Sequence, residues 1–175
     1  MDVLERGRLA RRIYDVAHLA GTFVLRSGVT SSEYFDKYLF EGDPVLLADI
    51  AQAMEPLVAP RTEALAGLEL GGVPLATALS RHTGLPTRFV RKQAKDYGTC
   101  RLAEGGEIDG VRLTVVEDVV TSGGQVIASV RALRDLGAEV ARVICVIDRE
   151  VGGFDNFAAA GIEAAALFRM SELRP

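Results

Sequence analysis

The stretch Val115–Gly124, VVEDVVTSGG, sets valines around two adjacent carboxylates and then ends in a hydroxyl pair and two glycines. A strand covered on both faces reads as a near-continuous run of Val, Ile and Leu. Glu117, Asp118 and Thr121–Gly124 do not belong to that pattern. Read as strand, loop and helix start, they acquire a chemical sense. Two carboxylates at a strand terminus can accept hydrogen bonds from a vicinal diol, while the first turn of a helix beginning at Thr121–Gly124 suits a phosphate. A diol beside a phosphate describes ribose 5-phosphate.

Working outward, the pattern alternates. ALAG, TRFVR, VRLTVVED, VARVICVID and EAAALF predict strands, and GVPLATALSRHTG, GQVIASVRALRDLG and FDNFAAAG predict helices. Strands this apolar, separated by helices, imply an α/β fold with a central parallel sheet flanked by helices. Ligands of such sheets lie beyond the carboxyl ends of the strands. Nearer the start, apolar residues at helical spacing predict an amphipathic helix from Val3 to Ala20 that stops at Gly21. TFVL and YFDKYLF read as extended pieces joined by a loop, and Asp43–Pro44 opens a helix that runs to Pro60. With 175 residues and no linker or repeat, one domain is expected.

The net charge of −4 argues against nucleic acid or an anionic membrane surface as partner, since either needs a basic face. An anionic ligand must therefore meet a local basic cluster. No apolar run is long enough to span a bilayer, and the first residues lack the apolar core of a secretory signal, so a cytoplasmic location is expected. Cys100 and Cys145 have no metal-ligand spacing and read as reduced and structural. His18 and His82 lie in no motif and are given no role.

Two more loops fall at strand ends. Gly67–Gly72, GLELGG, opens a helix and exposes backbone N–H groups to an anion. It is not a nucleotide P-loop, because Val73 and Pro74 stand where Lys and Ser/Thr are needed. The polar loop that follows Arg91 carries Arg91, Lys92, Lys95 and Arg101 against a single acid, Asp96. It supplies the missing basic cluster in a segment long enough to be functional.

VVEDVVTSGG resembles the diphosphoribose-binding motif of type I phosphoribosyltransferases, and the chain from about Leu19 to Arg149 is similar to the orotate phosphoribosyltransferases. The similarity is carried also by LRSGVTSSEYFD, GLELGGVPLA, RKQAKDYGT with a following EGG, and VIDRE. The resemblance implies a small hood formed by residues 1–40 over a core of residues 41–175. It implies magnesium-dependent transfer of ribose 5-phosphate from phosphoribosyl pyrophosphate to orotate, giving orotidine 5′-monophosphate and pyrophosphate in pyrimidine synthesis. Magnesium would be held mainly by substrate and water.

By the same resemblance, the donor is bound by Arg26, Gly71, Gly72, Arg91, Lys92, Lys95, Tyr97, Glu117, Asp118, Val119, Val120, Thr121, Ser122, Gly123, Gly124 and Gln125, with Lys95 and Asp118 catalytic. Tyr34, Phe35, Thr121 and Arg149 would bind orotate. A homodimer whose loop reaches the neighbouring site is implied. Gly71, Tyr97 and Glu117 depart from the commoner Lys, His and Asp of the family. The competing readings are transfer to another purine or pyrimidine base, and a non-catalytic regulator that senses the donor.

Overall fold

The computed structural model describes residues 1–24, 28–93 and 101–174. Helix α1 (Val3–Ala17) opens with a capping box, in which the Asp2 carboxylate accepts from Glu5 N–H at 2.8 Å and Glu5 accepts from Asp2 N–H at 2.9 Å. Leu9, Ile13 and Ala17 recur every four residues and form its buried stripe.

The helix ends three residues before the predicted Ala20. His18 instead begins strand β1 (His18–Val24), which pairs antiparallel with β2 (Thr30–Phe35) as a separate two-stranded ribbon. The switch is tertiary in origin, since the Ala17 carbonyl accepts from Asp36 N–H at 2.8 Å.

The predicted extension through YFDKYLF is also corrected. After Phe35 the chain forms a short helix, α2 (Lys37–Gly42), because the Asp36 side chain caps Tyr38 N–H at 3.1 Å. Phe40 of α2 is fully buried. Helix α3 (Pro44–Met54) follows at once, with Asp43 accepting from Val45 and Leu46 N–H, each at 2.9 Å, and Pro44 in its first turn.

The remaining elements are β3 (Ala64–Leu68), α4 (Gly72–Thr83), β4 (Thr87–Val90), β5 (Ala103–Glu104), β6 (Arg112–Val120), α5 (Gly124–Asp135), β7 (Glu139–Asp148), α6 (Gly153–Ala159), β8 (Ala164–Arg169) and α7 (Met170–Leu173). The six-stranded sheet has the order β5-β4-β3-β6-β7-β8. All its pairings are parallel except the short β4–β5 pair, of which β4 was expected as a strand and β5 lies in the segment expected to be loop.

Both faces of the sheet are covered. Leu65, Val116, Ile144 and Val146 pack with α1, α3 and α4, while Ala66, Val115, Val143 and Cys145 pack with α5 and Phe157 of α6. The alternation between neighbours follows from the two-residue period of a strand. Each fully buried Leu, Ile or Phe contributes about 1.5–3 kcal/mol relative to exposure, and this holds the carboxyl edge of the sheet rigid.

Candidate active site

The neighbouring strands β3 and β6 send their connections in opposite directions, β3 through α4 to β4 and β6 through α5 to β7. This divergence opens a crevice at their carboxyl ends. Helices α4 and α5 both start there, and neither has a side chain capping its first turn. Their leading N–H groups thus have no side-chain acceptor and are suited to anions.

Glycine is required at both starts. A Cβ on Gly72 would stand 2.2 Å from the Val116 carbonyl oxygen, and Gly123 has φ +73° with a Cβ position 2.6 Å from Phe157 Cε1. Thr121, Ser122, Gly124 and Gln125 are exposed around the start of α5. The Ser122 carbonyl accepts from the Asn156 side chain at 2.9 Å.

The acidic pair does not end a strand as expected. β6 continues through both acids to Val120, with Glu117 opposite Cys145 and Val119 opposite Ile147 in β7. Val120 is buried and Val119 half-buried; Val119 N–H donates to Asp118 Oδ1 and the Val120 carbonyl accepts from Arg149 N–H at 2.9 Å. Asp118 has no solvent exposure. Its Oδ2 lies 2.5 Å from Nζ of Lys37 on α2. Glu41, one turn further along α2, reaches the same place. A Cβ at Gly71 would fall 1.6 Å from Asp118 Oδ2 and 2.7 Å from Glu41 Oε1, so Gly71 leaves the room that these two carboxyls fill.

Proton affinities follow the burial. Burial, with the hydrogen bond and negative charge of Asp118, pushes Glu41 up to about 8 and holds Glu117 well above the ordinary carboxyl range. Burial pulls Asp118 upward too, but hydrogen bonds from Glu117, Lys37 and Glu41 outweigh it and bring Asp118 below its ordinary value. Lys37 is likewise raised, the Asp118 contact and nearby Glu117 charge overcoming its desolvation. The ionised Asp118 is thus paired with the Lys37 ammonium, while Glu41 and Glu117 hold their protons to higher pH than free carboxyls. That arrangement avoids burying unpaired charge.

The basic loop begins beside this cluster. Lys92 N–H donates to the Glu69 carboxylate at 2.6 Å, Glu69 N–H donates to the Val90 carbonyl at 2.8 Å, and Arg91 N–H donates to the Leu102 carbonyl at 2.9 Å. The loop thus starts tethered to the β3–α4 turn. Lys92 is exposed, and the buried Nε of Arg91 has no hydrogen-bond partner among the described residues. Arg26, Lys95 and Tyr97 lie outside the described residues.

A second cavity of about 220 Å³ gathers Tyr34, Phe35 and Arg149 with Tyr14, His18 and Arg174 on its walls. Tyr14 and His18 stack at 4.7 Å with their planes 10° apart. Burial and the charge of Arg174 pull down the proton affinity of the Arg149 guanidinium. The walls carry two guanidiniums against one carboxylate, that of Glu33, which lies 3.5 Å from His18 Nε2, a balance that favours an anion beside the arginines. Thr121, expected here, does not line this cavity.

Sequence reasoning did not place Lys37 and Glu41 beside Asp118, nor His18 and Arg174 on the walls of the second cavity. For Lys37 and Glu41 a signal existed, since Asp36 is a helix cap and places the two residues four apart on one face. Arg174 stands in no motif.

Residues 46–157 match the family model described as phosphoribosyl transferase domain. The crevice with two uncapped helix starts and an acidic pair is that of a type I phosphoribosyltransferase. A curated relative from Nocardioides sp., an orotate phosphoribosyltransferase, is 52% identical over 165 residues, covering 94% of this chain and 92% of its own. The crystal structure of Mycobacterium tuberculosis orotate phosphoribosyltransferase with Fe(III) dicitrate superposes with a TM-score of 0.88 at 32% identity, covering 98% of this chain and 99% of that one. The same enzyme with 5-phospho-alpha-D-ribosyl 1-diphosphate gives 0.83 at 30% identity, over 97% and 98%. This chain belongs to the orotate phosphoribosyltransferase family.

Proposed function

We propose that the protein transfers ribose 5-phosphate from phosphoribosyl pyrophosphate to orotate, releasing pyrophosphate and forming orotidine 5′-monophosphate in pyrimidine synthesis. The observation that carries this reading is the juxtaposition, at one edge of the sheet, of two uncapped helix starts flanking the Glu117–Asp118 pair. Family membership and the relative solved with the phosphoribosyl donor support it.

In this reading Thr121–Gln125 receive the 5-phosphate at the start of α5, while Gly71 and Gly72 receive pyrophosphate at the start of α4. The orotate ring nitrogen bonds to the anomeric carbon as its bond to pyrophosphate oxygen breaks, and the nitrogen's proton passes to water. Positive charge develops on the sugar during that step, and the ionised Asp118 lies in the element that would hold the ribose hydroxyls. A fixed charge needs no reorganisation when the barrier is crossed.

Arg91, Lys92 and, by family resemblance, Lys95 neutralise the leaving group, while Arg26 and Tyr97 contact the donor by the same resemblance. Tyr34 and Phe35 stack the planar base, and Arg149 meets its carboxylate.

Magnesium fits as an ion held mainly by the donor's own oxygens and by water. Among the described residues no three His, Cys, Asp or Glu side chains gather as a metal cage, and Asp118 is already paired with Lys37. When bound, the ion would supply charge neutralisation to pyrophosphate. We further propose a homodimer in which the Lys95 segment serves the partner's site.

The test is pyrophosphate release from the protein, magnesium, the donor and a panel of bases. Orotate is expected to be the preferred acceptor. Asp118→Asn should lower kcat/KM by about 100-fold or more. Arg149→Ala should raise the orotate KM by about 10- to 100-fold, the worth of a charge-assisted hydrogen bond. Faster turnover of another base, or an unchanged Arg149→Ala enzyme, overturns the acceptor assignment. Absence of release with every base overturns transferase activity and leaves the sensor reading.

A further inference from the structure

We propose that Lys37 and Glu41 are positioning residues for the phosphoribosyl donor, acting together from one face of α2 to fix the buried Asp118 carboxylate beneath the helix starts that would receive the donor. The inference deepens the donor-site reading above and rests on it.

Asp118 has no contact with solvent, so protein groups alone must satisfy its charge. Oδ1 accepts from Val119 N–H, and Oδ2 faces the Lys37 ammonium at 2.5 Å. Removal of the ammonium would leave a buried carboxylate without a counterion. Such a group takes up a proton or swings out, and either change abolishes the fixed negative charge.

Glu41 is itself 8% exposed, and its Oε1 shares with Asp118 Oδ2 the space left by the missing side chain of Gly71. Glu41 keeps its proton to higher pH than a free carboxyl, up to about 8, and a protonated Glu41 can donate to the neighbouring Asp118. Asp118 is thereby bounded on three sides: by its own strand, by an ammonium and by the Glu41 carboxyl. The other charged groups acting on the two α2 side chains are Glu117 from β6 and Asp36 at the start of α2.

Both grips come from the segment that continues directly from Phe35 of the acceptor cavity. A general loss of structure would disturb both substrates. Loss of a grip on Asp118 should disturb the donor alone. That difference supplies the test.

Steady-state kinetics on purified Lys37→Met, Lys37→Arg, Glu41→Leu and Glu41→Gln would be run against both substrates. Lys37→Met should raise the KM for phosphoribosyl pyrophosphate at least tenfold while leaving the orotate KM within twofold, and Lys37→Arg should recover part of the loss. Glu41→Leu should also raise the donor KM, with Glu41→Gln, which keeps a donor group, recovering most of it. An unchanged donor KM in Lys37→Met, parallel changes in both KM values, or Glu41→Gln as impaired as Glu41→Leu overturns the inference. Should Lys37→Met fail to fold, the Glu41 pair decides. An inactive wild-type protein fails the transferase reading, whereas an active wild type with an unaltered Lys37→Met fails this inference only.

Discussion

Glu41 would ordinarily lose its proton near pH 4.5, yet in the folded chain it holds it to about pH 8. The sign of the linkage is fixed by that direction. A folded-state value above the unfolded one contributes stability that is fully present below pH 4.5 and is lost progressively as the pH rises through about 8. Glu41→Gln removes this titration while keeping the shape. Urea unfolding at several pH values should therefore show the stability of the wild type falling relative to Glu41→Gln between pH 4.5 and 8, with no further divergence above. A difference independent of pH would mean that Glu41 is ionised when folded.

At the scale of elements, the start of α5 depends on a backbone shape that only glycine adopts cheaply. Gly123 has positive φ and abuts Phe157, so Gly123→Ala should cost about 1–3 kcal/mol through overpacking and strain. It should also weaken binding of the 5-phosphate by moving the helix start. Chemical denaturation and donor titration on one preparation would measure both effects, and a stability within 0.5 kcal/mol of wild type, about the spread of neutral surface changes, would contradict the packing argument.

The parallel strands and the helices α3, α4 and α5 were legible in the sequence because apolar runs and cap residues are local signals. The end of α1, the identity of α2 and the ladder position of Glu117 and Asp118 were not. Each depends on a partner remote in the chain: Ala17 on Asp36, Asp118 on Lys37, and the last residues of β6 on β7. The donor motif could be read as one continuous stretch. The cavity proposed for the acceptor could be read only in part, since Arg174 reaches it through folding alone.

Across the whole molecule, the sheet interior is closed on both faces, and Cys145 of β7 sits in it with 1% exposure. Burial, and the charges of Asp148, Glu117 and Asp118, hold its thiol well above the ordinary value, so it is a poor nucleophile while folded. In a Cys100→Ser background, labelling of Cys145 by a thiol reagent should be slow in buffer and complete within seconds in denaturant. Its rate in buffer should follow opening of the sheet rather than reagent chemistry. Rapid labelling without denaturant would show that β7 opens locally.

The short helix α2 begins two residues after Phe35, so the floor of one cavity and the counterion of the other crevice share a single run of chain. For redesign, this sets the limit of an exchangeable module. A ribbon transplanted to change the preferred base must end before Asp36, because a longer graft would carry off the ammonium that the buried Asp118 carboxylate relies on.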